Sequence, residues 1–150
     1  MKLNVTVLDD VEDVNDYHYA TDVKSNAGDP IQLYFQLSDA SKNLAQAGYN
    51  PSGLRYVPVS GATLQITFLN INNRKQFTRF ASQPFTQDPS IWSVPILATD
   101  PVSGTVSCKF VLSEPSSTGF VTKTCYLNAC FLVDGTNTVG DPRPEQPWGW

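Results

Sequence analysis

A chain of 150 residues, 41% hydrophobic and 16% charged, carries apolar material for one core and has little room for a second domain. Its formal net charge of −4 and pI near 4.7 argue against the extended cationic surface by which proteins displace counterions from nucleic acid. No apolar run approaches the ~20 residues that cross a bilayer, and Met1 to Val7 alternates instead of forming a signal-peptide core. The expectation is a chain without signal peptide or transmembrane segment, assembled in a cytoplasm.

The aromatics, three Trp, six Tyr and eight Phe against a single Met, favour pleated, half-buried surfaces over helices. Lys2 to Leu8 sets Leu3, Val5 and Val7 on one side and Asn4 and Thr6 on the other, the period of a strand with one buried face. Asp9, Asp10, Glu12, Asp13 and Asp16 follow as a solvated acidic loop. Tyr17 to Val23 reads as a short strand. Behind the turn cluster Ser25 to Pro30, Ile31, Leu33, Phe35 and Leu37 alternate with polar residues and predict another strand. From Ser38 to Ser60 no period persists, so a long loop is expected, with one helical turn at Leu44 to Ala47.

Ala62, Leu64, Ile66 and Phe68 restore the alternation, and Asn72-Asn73 marks a tight turn that lets Lys75 to Phe80 pair back as a hairpin. Ile91 to Leu97 is interrupted by Pro95, which cannot donate to a ladder and marks that run as an edge strand or marks its end. Val106 to Leu112 alternates, Glu114 to Gly119 turns the chain, and Cys125 to Val133 forms the last strand. That strand is apolar on both faces, so one face is expected against another subunit. Gly135 to Trp150 has no period and holds Pro142, Pro144 and Pro147. The fold expected is all-β: an immunoglobulin-like sandwich of about seven to nine strands over 1–134, with a Pro-rich extended arm over 135–150. A small β-barrel is the alternative.

The three cysteines lack CxxC spacing, and His18 is the sole histidine, which argues against structural zinc. A symmetric turn centred on Ser116-Ser117 sets Cys108 opposite Cys125, at the ~4.5–5.5 Å Cβ separation of facing strand residues. A cross-strand disulfide and two buried thiols are both open readings, while Cys130 has the opposite parity and points away.

Chemistry is sparse. With one His, between Tyr17 and Tyr19, and no GxSxG, HExxH, P-loop or GxGxxG pattern, no enzyme, cofactor or metal site is expected. The acidic run lacks the Gly and terminal Glu of an EF-hand. Trp92 sits in a strand and reads as core. Trp148 and Trp150 end the arm, with Pro144 and Pro147 before them. An exposed Trp is costly unless it finds a groove, so docking onto a neighbouring subunit and folding back onto the chain's own domain are both open, and these four residues are the candidate partner-binding set.

Gly28-Asp29 before Leu33-Tyr34-Phe35, Arg55-Tyr56-Val57-Pro58, Gly61-Ala62-Thr63-Leu64, Pro84-Phe85, Ser90-Ile91-Trp92 and Gly104 together resemble the small immunoglobulin-like domains of tailed-bacteriophage virion proteins. Baseplate and tail-associated proteins, including the N-terminal domain of upper baseplate proteins, are the nearest, and capsid decoration proteins come next. The resemblance covers residues 25 to 133 and transfers no catalytic residue. It implies a structural virion component, oligomeric in the particle, whose partners are other virion proteins. A carbohydrate- or receptor-binding module is the reading from a different class.

Overall fold

The computed structural model describes residues 1–8, 22–24, 31–43, 54–97, 100 and 104–132. Eight strands follow in chain order: β1 (Leu3–Leu8), β2 (Asp22–Lys24), β3 (Ile31–Asp39), β4 (Thr63–Asn70), β5 (Gln76–Phe80), β6 (Ile91–Ile96), β7 (Gly104–Ser116) and β8 (Gly119–Leu132). They form two sheets, β1-β3-β6 and β2-β8-β7-β4-β5. Every pairing is antiparallel except the short β2 beside β8. β1, β3 and β6 thus occupy the A, B and E positions, while β8, β7 and β4 occupy G, F and C with β5 beside them, which is the immunoglobulin-like arrangement. The barrel alternative fails, because the strands separate into two sheets with open edges.

The period-two pattern sorts the side chains as expected. Leu3, Val5, Val7, Leu33, Phe35, Leu37, Trp92, Val94 and Ile96 point from the smaller sheet into the core. Leu64, Ile66, Phe68, Val106, Cys108, Phe110 and Leu112 meet them from the larger one. Phe35 and Phe110 touch edge to face across the gap, with centroids 5.0 Å apart, an arrangement the ring quadrupoles favour. Trp92 lies in this core at 2% exposure. Its indole nitrogen is the buried side-chain polar atom without a partner among the described residues. Pro95 sits opposite Gln32 on β6, and β6 is an edge strand as its proline requires.

A second, smaller apolar cluster covers the outer face of the three-stranded sheet, where Leu8 and Ile91 pack with Tyr34 and Phe85. The Pro-rich segment before β6 is thereby held against the sheet. The β4–β5 hairpin keeps the register that a turn at Asn72-Asn73 demands, with Leu69 facing Gln76. Asn70 caps that turn by accepting from the Asn72 N–H at 3.0 Å, and Arg74 takes the left-handed conformation at φ 61°.

The turn between β7 and β8 needs correction. Glu114, Pro115 and Ser116 are strand, and the loop is only Ser117-Thr118, with Ser116 paired to Gly119. Gly119, at φ 121°, supplies the backbone conformation that so short a connection needs. Pro115 is tolerated in the strand because β4 begins only at Thr63, opposite Ser113; position 115 has no neighbour on that edge awaiting its missing N–H. The hairpin is therefore centred one residue later than expected. Cys108 faces Leu127 and Cys125 faces Phe110, so the two cysteines are diagonal neighbours, not an opposed pair.

The acidic run 9–16, His18, the start of the expected strand at Tyr17, the helical turn at 44–47 and the arm 135–150 lie outside the described residues. No helix among the described residues is long and apolar enough to cross a membrane.

Candidate interaction site

The connection from β3 to β4 and the β7–β8 hairpin tip meet at one end of the sandwich, and a buried carboxylate joins them. Alternation along β7 turns Glu114 inward after Leu112, and the side chain is only 5% exposed. A carboxylate in that position needs donors. The Tyr56 hydroxyl lies 2.6 and 2.7 Å from its two oxygens, and the Val59 N–H donates to it at 3.0 Å. Burial, helped by the hydrogen bond to Glu114, pushes the Tyr56 phenol up to about 12. Gly61 completes the junction with a positive φ of 89°. A Cβ there would lie 3.3 Å from the Pro115 ring, so a side chain would press the loop off the hairpin.

Fixing Tyr56 and Val59 from beneath has a consequence above. Val57 and Val59 are each 55% exposed, and Phe120 and Val121, paired with Pro115 and Glu114, are 69% and 45% exposed. Four large apolar side chains therefore stand in solvent at one end, on backbone held by a buried hydrogen-bonded carboxylate. Phe120 and Val121 are successive residues of β8 and face opposite sides of the sheet, so apolar side chains are exposed on more than one side of this end.

A polar groove of about 240 Å³ is lined by Asn4, Thr6, Gln36 and Ser38 from β1 and β3 and by Lys42, Leu54 and Arg55 from the loop. Arg55 pairs with the buried Asp88 at 2.8 Å. Asp88 also accepts from Ser90, which carries the loop onto the start of β6. Asp39 closes the groove floor. Its carboxylate accepts from the Ser41 hydroxyl and from the Lys2 and Ser41 N–H groups, and these bonds hold its pKa down at about 2. Lys2 and Lys42 are exposed at this same end.

No family model matches the chain, and no curated protein or solved structure matches it. The site is therefore read from its own geometry. Among the described residues no three His, Cys, Asp or Glu side chains are grouped to hold a metal ion. Cys108 and Cys125 are free thiols. Burial raises both, Cys125 to about 12, which keeps them protonated and poorly nucleophilic. Trp148, Trp150, Pro144 and Pro147, the expected partner-binding set, lie outside the described residues, as does the side chain of Cys130.

Sequence reasoning used Val57 only as one marker of the resemblance and passed over Val59, Phe120 and Val121, which belong to no recognisable motif. One signal was available. Glu114 continues the inward parity of Val106, Cys108, Phe110 and Leu112, and a carboxylate in a core register implies a partner brought from elsewhere in the chain.

Proposed function

We propose that this chain is a non-enzymatic structural component of a tailed-phage virion, at the baseplate or tail, that assembles through its sandwich surfaces and its C-terminal arm. The observation that carries the reading is the bare apolar end made by Val57, Val59, Phe120 and Val121. Such side chains recover hydrophobic free energy only when another surface covers them, at roughly 25 cal/mol per Å² of apolar area buried. A binding end held on a rigid sandwich loses little conformational entropy on docking. The resemblance of the marker residues between 25 and 133 to phage immunoglobulin-like domains supplies the biological setting.

The sugar-binding alternative draws on Phe120 and on Phe80, 65% exposed on the edge strand β5. The polar groove at Asn4, Gln36 and Arg55 has no aromatic in its lining, whereas sugar rings are held by stacking on such faces. The assembly reading is therefore preferred.

Immunogold labelling of virus particles with an antibody against the chain tests it. Label at the tail end is expected. Label on capsids freed of tails would move the protein to a decoration role, and particles without label would overturn the virion reading.

A further inference from the structure

The geometry points to the free edge of β5 as a homodimer interface, in which Gln76–Phe80 of two copies pair antiparallel about a twofold axis at Thr78 and join their sheets into one. This goes beyond the virion reading and stands independently of it.

The phase of the β4–β5 ladder decides which main-chain groups are free. The Asn70 N–H donates to the Lys75 carbonyl at 2.9 Å, and the Ala81 N–H donates to the Leu64 carbonyl at 2.8 Å. Counting by twos between these bonds turns the N–H and C=O of Phe77 and Arg79 towards β4. Those of Gln76, Thr78 and Phe80 therefore point outward, on a strand that ends its sheet. All three residues are exposed, Phe80 to 65%, and their outward main-chain groups have no partner among the described residues. The next outward residue is occupied: Ser82 exchanges both main-chain bonds with Ser93 of β6. The open stretch is thus confined to β5.

Proline, bulges and inward-pointing charges are the usual protections of such an edge. The strand has no proline, and its register with β4 is continuous. Its one charge, Arg79, shares the inner face with Phe77 and is neutralised by Asp100 of its own chain, so a second strand would bury no unpaired cation there.

Hydrogen bonding and charge together select a second copy in one register. Outward residues must face outward residues if each pair is to exchange both bonds. With the axis at Thr78, that residue faces its own copy and Gln76 faces Phe80, so every free group is used. Arg79 then faces Phe77, and Lys75 faces Ala81. An axis at Phe77 would set Lys75 against Arg79, and one at Arg79 would set Arg79 against itself; like charges directly opposite are destabilising. A further shift leaves a single facing pair within the strand. The resulting contact is isologous and closes as a dimer.

Sedimentation of the full chain over a concentration series, with amide hydrogen exchange read residue by residue, tests this. A dimer is expected. As it forms, exchange at Gln76, Thr78 and Phe80 should slow by about tenfold or more, while Phe77 and Arg79, already held by β4, stay slow throughout. Thr78→Pro removes an outward N–H without breaking a bond to β4 and should leave a monomer. Thr78→Ala loses the same hydroxyl contact with Thr67 but keeps the N–H, and should still dimerise. Gln76→Lys with Phe80→Lys changes only exposed side chains, sets lysine against lysine across the axis and should also be monomeric. A chain monomeric at every concentration, a dimer whose three alternate amides exchange freely, or a lysine variant that dimerises as well as the original would each overturn the inference. A monomeric chain that labels the tail of virus particles would lose this inference and retain the virion reading.

Discussion

The Tyr56 hydroxyl donates to the buried Glu114 carboxylate across 58 positions of sequence, at 2.6 and 2.7 Å from its two oxygens. This one contact ties the β3–β4 loop to the β7–β8 hairpin, and it fixes the backbone that displays the apolar end. Tyr56→Phe deletes the hydroxyl and leaves Glu114 with the Val59 N–H. The expected cost is about 1–3 kcal/mol, the range for stranding a buried polar group. Urea denaturation of the two chains should show the midpoint lowered with the slope unchanged.

Stability should decline at both pH extremes for identifiable reasons. Hydrogen bonds from Ser41 and Lys2 depress Asp39 to about 2, against about 3.9 in an unfolded chain. Its contribution is complete above the unfolded value and is lost as pH falls towards 2. Burial alone would raise Asp100, but the hydrogen bonds from Arg79 and the Leu97 N–H outweigh it and leave its pKa lowered; the sign is the same. Tyr56, raised to about 12 by burial and Glu114, works in reverse. Its contribution is intact below about 10 and is lost as pH climbs through 12. Thermal unfolding followed across pH should show both limbs, and Tyr56→Phe should flatten the alkaline one.

Cys108 and Cys125 should stay silent towards thiol reagents while the chain is folded. Both are free, Cys108 is fully buried, and burial suppresses their thiolates. The number of thiols titrated by a chromogenic disulfide should rise by two, for Cys108 and Cys125, when the folded chain is denatured. Because Cys108 faces Leu127 and Cys125 faces Phe110, a Cys108–Cys125 disulfide recovered from folded protein would contradict the register.

Arg79→Ala should loosen the entry to β7. The guanidinium grips the Asp100 carboxylate with two limbs, one of them 2.9 Å long, and lies 4.8 Å over the Phe77 ring. Losing it strands a largely buried carboxylate, for which a cost of about 1–3 kcal/mol is expected. Amide hydrogen exchange at Leu97, whose N–H donates to Asp100 at 2.7 Å, should accelerate.

The sheet framework was legible in the sequence because burial on one face of a strand enforces strict alternation. Leu3-Val5-Val7, Leu33-Phe35-Leu37 and Leu64-Ile66-Phe68 each point where their parity says. Pro95 announced its edge for an equally local reason. The β7–β8 turn misled because Pro115 normally breaks a ladder; its tolerance depends on β4 beginning only opposite Ser113, a tertiary fact invisible in a local window. The apolar end was illegible for the same cause. Val57 and Phe120 lie far apart in sequence, and only the Glu114 junction brings their segments together.

Phe120 is the residue whose substitution separates folding from assembly most cleanly. Being 69% exposed, it should tolerate Phe120→Asp with stability within about 0.5 kcal/mol of the original. Infected cells supplied with equal amounts of the two chains, one carrying a mass label, provide the decisive count by mass spectrometry. The variant should be depleted about tenfold in purified particles relative to the lysate, as expected for a lost apolar anchor. Equal incorporation of both chains would contradict the claim that this end of the sandwich is where assembly happens.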